Sequence, residues 1–170
     1  MTLQIYKIAT TEVGSAGASS IDFTNIPQGY RDLKVVLSAR TNAGSGGYQT
    51  YVRFNSDSGA NYTWRNVLGT GSSAVSQNTA GDTGMRITMS VSSGDTASTF
   101  GNSEFYVPNY TGSTAKSVSA DGVSENNATA ATADLAAGLW TGTAAISSIT
   151  IFGASASFVQ YSKATLYGIL

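Results

Sequence analysis

One stretch of the chain has residue types and spacing that suit metal chemistry. Residues 54 to 65 read FNSDSGANYTWR, with Asn55, Asp57, Gly59 and Asn61 at every second position. A calcium loop of the form D-x-[DN]-x-[DN]-G gathers carboxylate and amide oxygens at this alternate spacing around a hard cation. Here the glycine stands one position early, Asp57 is the only carboxylate, and Trp64 sits seven residues after it where a bidentate glutamate would close the shell. A single carboxylate holds calcium weakly, which leaves Asp57 as a weak metal candidate. The competing reading is a β-turn in which Asp57 and Asn55 accept from local backbone N–H groups and Gly59 supplies a positive φ. The turn is the reading adopted, with no metal site.

Other chemistry finds less support. The chain has no histidine and no cysteine, which removes Ser-His-Asp and Cys-His catalysis, thiolate metal sites and disulfides. Serine–lysine chemistry stays formally open, but Lys34 and Lys163 fall on polar faces of alternating segments and Lys116 opens another such segment. Glycoside cleavage needs two carboxyl groups across the scissile bond. Asp121 with Glu125, and Glu104 nearby in sequence, supply carboxyl groups at spacings too generic to single out. No catalytic residue, no cofactor-binding residue and no cofactor is assigned, and the expectation is a protein that is not an enzyme.

Aromatic residues beside polar loops are the more informative class. Tyr62, Trp64, Tyr110 and Trp140 have the character of rings that stack on a glycan or anchor a subunit interface. The alternative is that they close the end of a hydrophobic core. For Trp140, which follows Leu135 and Leu139, core or intersubunit packing is preferred, while for Tyr62 and Trp64 both readings stand.

Positioning these residues falls to a chain of 170 residues, a length that fits one domain. Charged residues make up only 11% against 41% hydrophobic, so Ser, Thr, Asn, Gln and Gly must cover the surface. Burying such a surface against neighbouring subunits desolvates few ions. With net charge −1 and nine scattered Lys and Arg, no phosphate-tracking patch appears, and nucleic acid is an unexpected partner. No apolar stretch approaches the ~20 residues of a membrane helix. A soluble chain without a Sec-type export signal is the expectation.

Apolar residues recur with period two, the strand signature, between segments rich in Gly, Ser, Asn and Thr. DLKVVLSAR places Leu33, Val35, Leu37 and Ala39 on one face; YQTYVRF does the same with Tyr48, Thr50, Val52 and Phe54, and RITMSV with Ile87, Met89 and Val91, each with one buried face. SEFYVPNY, AKSVSADGVS, AISSITIFG with Ile149 and Ile151, and FVQYSKATLYGI continue the rhythm, giving about nine to eleven strands. Residues 126 to 140 read as a long loop reaching a strand at Leu139 and Trp140, in preference to a short helix. Gly69 to Gly84 reads as the longest irregular loop, ordered by a neighbouring subunit or used in binding. Pro27 marks a connection and Pro108 a strand end. The pattern predicts a single all-β domain over residues 1–170, a two-sheet antiparallel β-sandwich of jelly-roll type, with immunoglobulin-like topology as the runner-up.

Several phrases together resemble a family of small all-β virion structural proteins of tailed bacteriophages, especially those of aquatic bacteria. They are SSIDFTNIPQGYRDLKVVLSAR at 19 to 40, VRFNSDSGANYTWR at 52 to 65, VPNYTGSTAKSVS at 107 to 119, AAGLWTGTAAISSITI at 136 to 151 and FVQYSKATLYGI at 158 to 169. The resemblance implies a jelly-roll-like sandwich acting as a homotrimer in the virion, without cofactor and with no functional residue to carry over. Within that class, a capsid decoration (cement) protein needs only a compact domain and a strand that docks on the major capsid protein, for which residues 1 to 12 are the candidate and Gly69 to Gly84 a second contact. A fibre or receptor-binding domain that contacts host surface glycans is the alternative. It would need heptads or a shaft repeat, and the chain has neither.

Overall fold

The computed structural model describes residues 4–44, 48–127 and 131–170. Twelve strands follow one another without a helix among the described residues: β1 (Ile5–Glu12), β2 (Ser20–Phe23), β3 (Asp32–Ala39), β4 (Tyr48–Phe54), β5 (Tyr62–Gly69), β6 (Ala74–Asp82), β7 (Met85–Ser90), β8 (Gly101–Val107), β9 (Lys116–Val123), β10 (Ala133–Trp140), β11 (Ile149–Gly153) and β12 (Lys163–Ile169). They form two antiparallel sheets, one of eight strands in the order β1-β12-β3-β8-β9-β10-β5-β6 and one of four in the order β2-β11-β4-β7. Fold class is therefore all-β with two layered sheets. The narrower jelly-roll expectation, eight strands in two Greek keys, goes beyond what this division of eight and four establishes.

The core lies where the inward residues of both sheets meet. Leu33, Val35, Leu37 and Ala39 of β3 are all buried, as the alternation in DLKVVLSAR predicts. Facing them are Val52 and Phe54 of β4 and Ile149 and Ile151 of β11. Removing a buried leucine such as Leu33 from this layer costs about 2–5 kcal/mol, because the surrounding side chains refill the space only in part. Val107 ends β8 and Pro108 follows it, while Pro27 lies in the connection from β2 to β3. Both prolines thus avoid the sheet ladders that need their missing N–H.

Three segments depart from the expectations. The stretch from Gly69 to Gly84 is not a long irregular loop: β6 pairs with β5 from Gly69↔Ala74 to Tyr62↔Asp82, closing a hairpin over Thr70–Ser73. Its composition of Ser, Gln, Asn and Thr conceals the strand because β6 is the sheet's outermost strand and almost wholly exposed. Residues 133 to 140 are strand along their full length, paired on both sides by β5 and β9. Alanine-rich sequence hides that strand too, since small residues carry little period-two contrast. The rest of that expected loop includes residues 128–130, outside the described residues.

β7 is buried on both faces, not one. A register shift between Thr50 and Tyr51 of β4 admits an extra residue in β7, so Arg86 and Ile87 are both enclosed. The candidate docking segment, residues 1 to 12, contributes β1, which pairs with β12 from Ile5↔Ile169 to Glu12↔Lys163 and forms the opposite edge of the large sheet. Residues 1–3 of that segment lie outside the described residues.

Candidate functional site

The FNSDSGANYTWR loop is an internal strut. Asn55 and Ser56 hold the positive φ values, 53° and 57°, and Gly59, expected in that role, is not among the left-handed residues. Asparagine tolerates this conformation, which is why the turn forms there. Asp57 Oδ1 accepts from the Gly59 amide at 2.9 Å, Asn61 Nδ2 donates to both carboxylate oxygens at 3.2 and 3.0 Å, and Trp140 Nε1 donates to Oδ2 at 2.7 Å. These bonds, with the indole first, hold the Asp57 carboxyl below its ordinary value of 3.8. Asn55 does not bond locally as expected. Its Oδ1 accepts from the Ser147 and Ser148 amides at 2.8 and 3.2 Å, and its Nδ2 donates to Ala145 O at 2.8 Å. Among the described residues no group of three or more acidic, histidine or cysteine side chains is arranged to hold a metal.

Tyr62, Trp64, Tyr110 and Trp140 are buried core residues, the packing preferred for Trp140 and the alternative left open for Tyr62 and Trp64, which corrects their standing as glycan or interface candidates. Period two explains it: Tyr62, Trp64 and Asn66 share the inward face of β5 while Thr63 and Arg65 point out, and Trp140 is the last inward residue of β10. Tyr62 stacks on Trp140 with ring centroids 6.5 Å apart, and its hydroxyl bridges the Phe54 amide at 3.0 Å and the carbonyl of Asp57 at 3.1 Å. Burial raises the Tyr62 phenol to about 12. The Tyr110 hydroxyl donates to the carbonyl of Pro27, tying the loop after β8 to that before β3. Trp64 donates to Asp82 Oδ2 at 2.8 Å.

Two buried cations escaped sequence reasoning. Lys116 is 1% exposed, and its ammonium donates to the carbonyls of Gly112 (2.7 Å), Thr114 (2.5 Å), Ala144 (3.1 Å) and Thr143 (3.4 Å), 5.8 Å from the Trp140 ring centroid. Burial favours loss of its proton, and the four carbonyls oppose that loss. It is thus an internal cation joining two loops, which its place at the start of an alternating segment did not indicate. Arg86 pairs with Asp134 at 2.6 Å, both side chains 1% exposed. Asn66 closes the triangle, donating to Asp134 at 2.8 Å and accepting from Arg86 at 3.1 Å, and Gln77 of β6 accepts from the same guanidinium nitrogen. This group bridges β7 of the small sheet to β5, β6 and β10 of the large one. Arg86 sits 1% exposed in an alternating strand where period two alone gives no sign of a buried charge.

Half-buried rings elsewhere are also occupied. Tyr51 and Phe152 stack at 5.7 Å on the outer side of the small sheet, and the Arg53 guanidinium lies 4.3 Å from the Phe152 centroid. Arg53 is itself held by the Thr83 carbonyl at 2.6 Å. Phe152 is thus packed by a ring and by a guanidinium of the same sheet.

Polar chemistry in this chain is spent internally. Among the described residues, Asp121, Arg65 and Lys7 are the charged side chains with neither an ion pair nor a hydrogen bond to another group. What remains open is backbone and surface: the outer edges of β1 and β6, and the outer face of the large sheet. Asp121 and Glu125 share no bond; Glu104 pairs with Lys34 at 2.7 Å.

No family model matches the chain, and no curated protein matches it. A search of solved structures gives a chain of infectious bursal disease virus, described as "Structure of infectious bursal disease virus Gx strain", at 12% identity and a TM-score of 0.15 over 99% of this chain. This chain spans 39% of that one's length, and a likeness so slight carries no argument.

Proposed function

We propose that this protein is a non-enzymatic structural component of a tailed-bacteriophage virion, acting as an oligomeric decoration protein on the outside of the capsid. The observation that carries this reading is the division of labour in the polar groups. Among the described residues nearly every charged side chain is bonded to another group of the same chain, several of these pairs at the surface, while two sheet edges and one broad sheet face stay open. A catalyst needs convergent polar groups left free for substrate; a cement protein needs rigid, weakly charged surface and backbone edges. β1 supplies such an edge, with its inner side fixed to β12 and its outer N–H and C=O groups available for strand addition on a shell subunit. Several copies engaging one shell would turn modest contacts into firm attachment. The fibre or adhesin alternative draws nothing from the four candidate rings, which are buried.

Co-sedimentation tests the reading. Purified protein mixed with undecorated phage heads is expected to pellet with them and to raise their thermal rupture temperature, since a ligand of the assembled state stabilises it. Protein that stays in the supernatant, with heads rupturing at the same temperature, would contradict it.

A further inference from the structure

The outer face of the large sheet is divided. Over β1, β12, β3 and β8 it carries charges paired to one another, Lys163 with Glu12 and Lys34 with Glu104. Along β10 it is aliphatic, with one valine added from each neighbouring strand. Ala133, Leu135, Ala137 and Leu139 are the outward residues of β10, Leu135 being 64% exposed. Val67 of β5, 52% exposed, stands directly beside Leu135, and Val123 of β9 beside Ala133. Four of the nine exposed large apolar side chains among the described residues thus gather on one face of three adjacent strands.

Two of the three unpartnered charges flank this stripe on opposite sides. Arg65 projects from β5 beside Ala137, and Asp121 from β9 beside Leu135. We propose that this face pairs with the same face of a second copy of the chain about a two-fold axis parallel to β10. That operation lays β5 of each copy over β9 of the other, so each Arg65 stands within one pair of positions of the second copy's Asp121, about 7 Å along the strand, and the leucines of the two stripes meet between them. Charge complementarity thus arises from two of the three unpaired charges among the described residues. Area agrees. The three-strand stripe at about 4.8 Å spacing, each strand about eight residues of 3.4 Å, covers about 390 Å² per copy, and the same two-fold lays the polar β6 of each copy over β8 of the other, which brings the face to about 650 Å² per copy, or about 1,300 Å² per pair, within the range of specific interfaces. This pairing does not depend on the virion reading.

The test is the solution mass of the full chain and of three charge variants over a concentration series, by light scattering after size exclusion and by sedimentation equilibrium. A dimer is expected for the parent chain. Arg65→Glu and Asp121→Lys, each alone, are expected to weaken self-association at least about tenfold, and the double swap Arg65→Glu with Asp121→Lys to restore it. Both substituted residues lie on an exposed face, and restoration by the double swap separates lost pairing from lost folding. A parent chain that is monomeric or trimeric throughout would overturn the proposal. So would a dimer indifferent to the single swaps, or a double swap no better than either single one.

Discussion

The indole Nε1 of Trp140 donates to Asp57 Oδ2 at 2.7 Å across eighty-three positions of sequence. This bond ties the end of β10 to the turn after β4, and Tyr62 and Lys116 pack on the same ring. An acid spaced like a calcium ligand thereby serves as the acceptor that lets a tryptophan end the core.

Asp57→Ala removes an ionised acceptor from Trp140, Asn61 and the Gly59 amide together. It should lower stability by about 2 kcal/mol in urea unfolding, with Asp57→Asn falling between it and the parent. Calcium at millimolar concentration should leave the melting temperature unchanged, and a rise of several degrees would restore the metal reading.

Acid should act through Asp57 and Asp32. Burial of Asp32 works against its ionisation, but bonds from Tyr106 Oη and the Asn109 amide, with Arg31 beside it, outweigh burial and leave its carboxyl below 3.8. A carboxyl lowered in the folded state contributes stability that is full above its unfolded value and is lost as pH falls through the folded one. Unfolding free energy should therefore be flat from pH 7 toward about 5 as far as these groups are concerned, and decline below about 4. In Asp57→Asn the decline should be shallower; an unchanged slope would remove Asp57 from this role.

Lys116→Met keeps the aliphatic stem but leaves the carbonyls of Gly112, Thr114, Thr143 and Ala144 without their donor. A loss of about 2 kcal/mol is expected, together with faster amide exchange in the two loops it joins. Stability equal to the parent chain's would show that the cage contributes nothing.

The Arg86–Asp134 pair should behave as a unit. Asp134→Ala strands a buried guanidinium and should cost about 3–5 kcal/mol, whereas Arg86→Met combined with Asp134→Leu should cost far less than the sum of the single changes. Additive losses in that double-mutant cycle would mean that the two side chains do not act on one another.

Strands with strong contrast were legible: DLKVVLSAR and AISSITIFG show their buried faces because large aliphatic residues alternate with polar ones. β6 and β10 were not, because an edge strand exposes both faces and an alanine-rich strand offers little contrast in size. Thr63 and Arg65 on the opposite face of β5 were the available sign that Tyr62 and Trp64 point inward. Asp57 was rightly placed in a turn, yet its partner Trp140 was beyond reach because the bond is tertiary. Lys116 and Arg86 carry no local mark of burial, since what encloses them comes from strands far away in sequence.

Locating the protein in a purified particle by electron cryomicroscopy is the direct test of the proposed role on the shell. Density fitting the two-sheet domain on the outside of the head, with its large sheet's β1 edge or outer face in contact with a neighbour, is the expected result. Density confined to the tail, or none on the particle, would contradict it.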